Sequence, residues 1–134
     1  MPWLPDLESA RLLYQREPSH VPRLPFFDGI RHLDLEILTI SFAGEPRIDD
    51  PRYGRVEGRA ALEAYVAATR AWLEEATTGQ FDLVSEMYGD THAVEEFTLH
   101  LRRDGRVLPV AVSAELAKDT RMGPIRVYYG SAWD

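Results

Sequence analysis

The chain has 134 residues, no cysteine and a formal net charge of −7, and its pI is about 5.1. This length suits one domain with a core large enough to fold without disulfides or metals. The absence of cysteine excludes thiol chemistry and Cys-ligated metals and favours a cytoplasmic location. An acidic chain lacks the basic face that nucleic acids require, and no run of 18 apolar residues could span a membrane. We therefore expect no cofactor, no metal, no nucleic-acid partner and no membrane partner.

Residues 1–20 form an N-terminal extension, and residues 21–134 form the domain proper. Within the extension, apolar residues recur at helical spacing behind Asp6, a residue type that caps helices. This pattern predicts a short amphipathic helix over residues 5–16, which ends before Pro18. We expect this helix to fold back over the domain, because its apolar side chains would be poorly solvated in a free tail.

The next segments predict more helices. Two apolar runs, residues 24–32 and 33–42, indicate two short helices, although the β-branched residues of the second run also favour a strand. After Gly58, apolar residues recur three and four positions apart as far as Ala76. That spacing predicts a longer amphipathic helix that ends at Gly79.

The C-terminal third has the alternation of strands. Phe97, Leu99 and Leu101 alternate with polar residues, and Asp104-Gly105 then predicts a hairpin turn. A return strand reaches Leu116, and a last strand over residues 125–129 follows a predicted turn at residues 122–124. Helices followed by such strands predict an α+β domain, with the helices packed on one face of an antiparallel sheet.

Several short motifs occur in order along the chain: Phe26-Phe27-Asp28-Gly29-Ile30, Leu33-Asp34-Leu35-Glu36, Ile48 to Gly54, Gly58 to Leu62, Phe97-Thr98-Leu99 and Ile125 to Tyr129. Together they resemble the SnoaL-like proteins of the nuclear transport factor 2-like (NTF2-like) superfamily, which includes polyketide cyclases and ketosteroid isomerases. The resemblance implies a cystatin-like α+β cone, with N-terminal helices packed on a curved antiparallel sheet around one apolar pocket. It also implies a homodimer through the outer sheet face, where Thr98, His100 and Arg102 are expected to project.

Asp50 is the main candidate for chemistry. The resemblance places it at the strand-end Asp-Pro where ketosteroid isomerases keep their general base. In those enzymes the base works beside a Tyr and a protonated Asp, and the resemblance places Phe26 and Ala114 at those two positions. Asp50 as a base is weighed against a structural interpretation, in which its side chain caps the turn formed by residues 50–54.

Three other residues are candidates for the same site. Glu95 lies two residues before Phe97, so it is expected on the same face of the strand. There it would supply a second acid beside Asp50, unless it is a solvated strand end. Tyr65 and Tyr129 would donate hydroxyls to a ligand carbonyl, unless they pack in the core. The residues expected to line the pocket are Phe26, Tyr65, Phe97, Leu99, Val112, Ala114 and Val127.

The leading hypothesis is an isomerase or cyclase that uses Asp50 to move a proton on a small hydrophobic carbonyl compound. A second hypothesis is a non-catalytic module for ligand binding or dimerisation, which the apolar residues Phe26 and Ala114 favour. A third is epoxide hydrolysis, which requires a carboxylate pair together with an Arg or Asn that positions a water.

Overall fold

A computed structural model of the chain describes residues 4–5, 23–119 and 121–130. The described elements, in chain order, are β1 (Leu4–Pro5), β2 (Arg23–Leu24), α1 (Phe26–His32), α2 (Leu35–Ile40), β3 (Arg47–Asp50), β4 (Gly54–Glu57), α3 (Arg59–Ala76), β5 (Thr77–Tyr88), β6 (His92–Leu101), β7 (Val107–Leu116) and β8 (Met122–Tyr129). None of the helices in these segments combines the length and the apolar composition needed to cross a lipid bilayer.

Six of the strands form one sheet in the order β4-β3-β8-β7-β6-β5, and β1 and β2 pair separately. The α+β class is confirmed, but the sheet is mixed, because β3 runs parallel to β8 while the other neighbouring strands pair antiparallel. The 18 residues of α3 link β4 at one edge of the sheet to β5 at the other. A helix of that length spans about 27 Å, close to the width of six strands.

Most of the predicted elements are confirmed. Within the segment 33–42, Leu35–Ile40 is helical and not extended, and the Asp34 carboxylate caps this helix by accepting the Ile37 N–H at 2.9 Å. Asp104 and Gly105 have φ values of 65° and 60° in the turn between β6 and β7, across which Leu101 N–H donates to Arg106 O at 2.8 Å. The predicted helix at 5–16 lies outside the described residues, apart from Pro5, which pairs with Arg23 in β1 and β2.

Two parts of the sheet differ from the prediction. Residues 122–124 belong to β8, and the preceding turn is closed by a hydrogen bond of 2.8 Å from Ala117 N to Arg121 O. The 12-residue edge strand β5 was not predicted. Its first residue is buried but most of the others are exposed. With little burial on either face it lacks the alternation that marks a strand in sequence.

The core lies between the helices and the inner face of the sheet. Alternate residues of β6, β7 and β8 are buried, and α3 contributes the stripe formed by Leu62, Tyr65, Thr69 and Leu73. Aromatic rings join the two layers, since the Phe27 ring lies 5.6 Å from the Phe97 ring at a steep angle. The core therefore has two layers, as the helical period of 3.6 residues in α3 and the strand period of 2.0 residues in β6, β7 and β8 indicate.

We predict that Leu99→Asp unfolds the domain. Leu99 is 1% exposed in this core, and a buried, unpaired carboxylate adds to the loss of the leucine side chain. The cost should exceed about 4 kcal/mol, a large share of the roughly 5–15 kcal/mol that holds an ordinary domain together. Val107→Asp is the matched control, because Val107 is 40% exposed. A thermal melt in which both variants behave alike would refute the assignment of faces.

The outer face of the sheet carries Thr98 and His100, and there His100 Nε2 lies 2.7 Å from Asp82 Oδ2. Arg102 does not belong to this face: it follows the end of β6, and its Nε donates to the Glu74 carbonyl of α3. Tyr128, next to this surface on β8, is 51% exposed.

We propose that two chains pair through this outer face, which would cover the Tyr128 ring. Light scattering at micromolar concentration should then give twice the chain mass of 15.3 kDa, and Tyr128→Glu should return the mass to that of one chain, because it places a charge in the interface. A wild-type mass of one chain under the same conditions would remove the proposal.

Candidate functional site

Asp50 is the last residue of β3, and its side chain is fully buried at 0% exposure. Strand alternation turns Ile48 and Asp50 towards the helices and sends Asp49 to the other face. There Asp49 accepts a hydrogen bond of 3.2 Å from Arg55 Nε. Two consecutive aspartates thus occupy opposite environments, one in the core and one partly exposed.

The Asp50 carboxylate accepts hydrogen bonds from three elements. Oδ2 accepts from the Tyr65 hydroxyl at 2.7 Å and from the Tyr129 hydroxyl at 3.0 Å, and Arg52 Nη2 lies 3.5 Å from the same oxygen. Oδ1 accepts the Arg52 backbone N–H at 3.0 Å. The turn-capping interaction is therefore present at one oxygen. The other oxygen is held by side chains, as a buried charge requires.

Both tyrosines in this cluster remain protonated donors. Burial raises the pKa of Tyr65 well above its ordinary value, and the negative charge of Asp50 raises it further. The pKa of Tyr129 is raised by burial and by the same carboxylate. Tyr65 is completely buried, whereas Tyr129 is only partly so. Tyr129 is thus the hydroxyl nearer to solvent.

Arg52 is the one member of the cluster with an unused donor in the interior. Its Nη2 donates to Thr69 Oγ1 at 2.7 Å, and its guanidinium lies 4.4 Å from the centre of the Trp72 ring. Its Nε is buried and has no hydrogen-bond partner among the described residues. Burial alone would lower the pKa of Arg52, but contact with Tyr129 and the charge of Asp50 outweigh it and raise the pKa. The guanidinium is therefore charged and offers one N–H to a ligand.

Sequence reasoning did not identify Arg52, Thr69 or Trp72 as residues of this site. Tyr65, Thr69 and Trp72 lie four and three positions apart on α3, so they share one helix face. That spacing could have indicated a polar stripe opposite Asp50. Nothing in the sequence would have placed the Arg52 side chain beneath Trp72, because Arg52 lies in a turn.

The seven residues predicted to line a pocket are all buried and belong to one hydrophobic cluster, comprising Phe26, Tyr65, Phe97, Leu99, Val112, Ala114 and Val127. The seven side chains are therefore close together in the structure, as members of one packed cluster. An apolar recess of about 420 Å³ lies nearby and is lined in part by Trp72, Leu101 and Leu108. A pocket at the seven residues stays a prediction.

Glu95 is completely buried on β6, so its interpretation as a solvated strand end is wrong. Its Oε1 accepts the Phe26 N–H at 2.9 Å, and its Oε2 has no partner among the described residues. Burial raises the pKa of Glu95 to about 7. Glu95 lies opposite Val112, and Val112 lies opposite Val127. With β7 and β8 between the strands that carry Glu95 and Asp50, the two acids do not form a pair.

The described segments contain no group of three or more His, Asp or Glu residues arranged to hold a metal ion. His32 and Asp34, whose spacing in the sequence loosely suggests a metal pair, are the last residue of α1 and the N-cap of α2. The groups of the described residues that contact the Asp50 carboxylate are two hydroxyls, a backbone N–H and a guanidinium.

Comparison with known proteins gives structural neighbours only. No family model and no curated protein matches the chain. A SnoaL-like protein of unknown function from Burkholderia thailandensis is 15% identical with a TM-score of 0.55, and the match covers 95% of this chain and 100% of that one. A proposed isomerase of the SnoaL-like family from Agrobacterium tumefaciens is 17% identical with a TM-score of 0.61, covering 79% and 92%.

A third neighbour is SalBIII, an epoxide hydrolase/cyclase-like enzyme in pyran ring formation of the polyether salinomycin. It is 14% identical with a TM-score of 0.57, and the match covers 81% of this chain and 90% of that one. The chain has the SnoaL-like, NTF2-like fold. At these identities the SnoaL-like resemblance is confirmed for the fold, and function has to be argued from the site.

We predict that Glu95→Gln makes the stability of the protein less sensitive to a rise in pH from acidic to neutral values. The pKa of Glu95 is about 7 in the folded state against 4.5 for a free side chain. The unfolded chain releases the proton first, so wild-type stability falls between pH 4.5 and pH 7. Gln retains the acceptor for Phe26 N–H and has no such proton.

The free energy of unfolding of the variant, relative to wild type, should therefore rise by on the order of 2–3 kcal/mol from about pH 4.5 to about pH 8. Urea denaturation of both proteins at several pH values measures this difference, and other titrating groups cancel in it. A difference that stays constant with pH would show that Glu95 does not titrate in this range.

Proposed function

We propose that this domain is an enzyme that moves a proton on a small hydrophobic carbonyl compound, in an isomerase or cyclase reaction with Asp50 as the acid/base. The observation that carries the proposal is the buried Asp50 carboxylate beside a buried Arg52 Nε–H that has no partner among the described residues. A protein interior rarely leaves such a donor unused, because an unmade hydrogen bond costs about 1–3 kcal/mol. A substrate oxygen would satisfy it.

In this mechanism Asp50 removes a proton from the carbon next to the carbonyl group, and negative charge develops on the carbonyl oxygen. Arg52 Nε and the Tyr129 hydroxyl are the donors available to that oxygen. In this proposal they replace the Tyr and Asp of the ketosteroid isomerase arrangement, whose positions the sequence resemblance assigns to Phe26 and Ala114. Preorganised donors in a water-poor site stabilise such an oxyanion strongly.

Tyr129 is the hydroxyl that turns from Asp50 to the substrate. Its bond to Asp50 Oδ2 is 3.0 Å, against 2.7 Å for Tyr65, and its ring is more exposed. When it leaves, Oδ2 loses one donor and becomes a better proton acceptor. Tyr65 stays in place and orients the carboxylate.

The apolar body of the substrate would lie in the recess of about 420 Å³ beside Trp72. Trp72 contacts both Arg52 and the Tyr129 ring, whose centre lies 6.3 Å from that of Trp72. Trp72 therefore connects the recess to the proposed donors. The proposed isomerase and the cyclase-like enzyme among the structural neighbours support a reaction of this kind.

We predict that Asp50→Asn abolishes proton exchange. A panel of hydrophobic ketones with enolisable protons is incubated with the protein in D₂O, and deuterium incorporation is followed by mass spectrometry. The amide of this variant is no base, so the enzymatic rate should fall at least about 100-fold. Asp49→Asn is the matched control, because it makes the same change one residue away at a partly exposed position, and it should retain activity within about twofold.

Two further variants separate a catalytic site from a structural ion pair. Tyr129→Phe and Arg52→Lys keep the packing or the charge but remove a donor, so they should lower kcat more than they raise KM. A thermal melt of each variant checks that the domain is folded. If Asp50→Asn is folded and exchanges at the wild-type rate, the catalytic proposal fails.

The second candidate is a non-catalytic module for ligand binding or dimerisation. It is favoured by the dense packing at Phe26 and Ala114, which are 0% and 2% exposed. Binding of a ketone without exchange in any variant would support it. Epoxide hydrolysis is not proposed, because it needs a carboxylate pair and Asp50 and Glu95 lie on strands separated by β7 and β8.

A further inference from the structure

Three arginines converge on a pocket of about 320 Å³ where α1 and α3 end. Arg31 belongs to α1, Arg70 to α3, and Arg102 follows the end of β6. Their meeting point is unusual in a chain with a net charge of −7. The pocket shares no lining residue with the Asp50 cluster.

Each guanidinium is fixed by a backbone carbonyl. Arg70 donates from Nε to Ile30 O at 2.7 Å and from Nη2 to Leu33 O at 2.5 Å. Arg31 Nη1 donates to Gly79 O at 3.2 Å, and Arg102 Nε donates to Glu74 O at 3.0 Å. The carbonyls of Ile30, Leu33 and Glu74 lie at the C-terminal ends of α1 and α3, so Arg70 and Arg102 also neutralise the negative helix ends, whereas the Gly79 carbonyl belongs to β5.

Capping does not use up the donors. Among the described residues, no hydrogen bond engages Arg31 Nη2, Arg70 Nη1 or either terminal nitrogen of Arg102. Gly79 has a φ of +87°, which favours glycine, and a Cβ there would make an ordinary contact of 3.5 Å with Arg31 Nη2. Held in place with free N–H groups, the arginines are preorganised for an anion.

The charge and the shape of the pocket indicate which anion. Glu74 is the one carboxylate among the lining residues, and Asp28 lies 3.6 Å from Arg31 Nη1 beside them, so the three arginines exceed the carboxylates by one charge with His32 neutral. The donors approach from three different elements, which suits the oxygens of a tetrahedral group better than the flat pair of a carboxylate. We propose that this pocket binds a dianionic phosphoryl group, either free phosphate or a phosphate monoester.

The test is titration of the ¹⁵N-labelled protein with sodium phosphate at about pH 7.5, where the second phosphate proton is largely lost, and at constant ionic strength. We expect saturable amide shifts at Thr78, Gly79 and Arg31, with Kd on the order of 1 mM or tighter. Arg31→Gln should weaken binding at least about fivefold, because Arg31 contributes one of the three charges. Arg55→Gln is the matched control, since Arg55 lies in β4 and pairs with Asp49 and Glu57, and it should leave Kd unchanged.

Arg70 is not the first choice for substitution, because it holds two carbonyls at the end of α1. Arg102→Gln provides the second variant if Arg31→Gln unfolds, and thermal melts establish which variants are folded. Phenyl phosphate is titrated in parallel: tighter binding than phosphate identifies a monoester ligand, and equal binding identifies free phosphate. Equal weakening by the Arg31 and Arg55 variants, equally tight binding of acetate, or no saturation by about 20 mM phosphate would each overturn the proposal.

Discussion

The fold at the proposed active end of the molecule depends on one buried carboxylate. Asp50 ends β3, Tyr65 belongs to α3 and Tyr129 ends β8, so a single side chain joins a hairpin, a helix and the last strand. A charge in this position is stable only if its oxygens are occupied, because desolvation of an uncompensated carboxylate costs several kcal/mol. The dependence is therefore mutual. The helix α3 and the strand β8 position the two hydroxyl donors, and the Asp50 carboxylate links α3 to the sheet.

Arg52 extends the constraint to the surface. Its backbone N–H closes the turn after β3, and its side chain reaches Thr69 and lies against Trp72 on α3. Trp72 in turn contacts Phe27 of α1, with ring centres 6.0 Å apart. A conformational change at the turn would therefore alter the packing of α1 and α3. The same packing orients Arg52 Nε, the unused donor, beside Asp50.

The sequence predicted α1, α2, α3 and the alternating strands β6, β7 and β8, because each of these elements depends on local periodicity. It did not predict β5, whose 12 residues are mostly exposed and carry no alternation. It also did not predict the partners of Asp50. Arg52 is close in sequence, but its side chain is placed by Thr69 and Trp72, which belong to α3 in the next part of the chain. Contacts of that range follow from how the helix packs on the sheet, and one sequence does not contain that information.

Glu95 and Asp50 show why burial alone does not define an acid/base residue. Both side chains are fully buried on the inner face, and parity predicted the inward position of each. Glu95 has a single donor and an oxygen without a partner among the described residues, so burial dominates and its pKa rises to about 7. Asp50 has two hydroxyls, a backbone N–H and a guanidinium around it. Reactivity at Asp50 therefore requires that a donor leave, and Tyr129, which has the longer hydroxyl bond and the more exposed ring, is the donor whose departure links substrate binding to proton transfer.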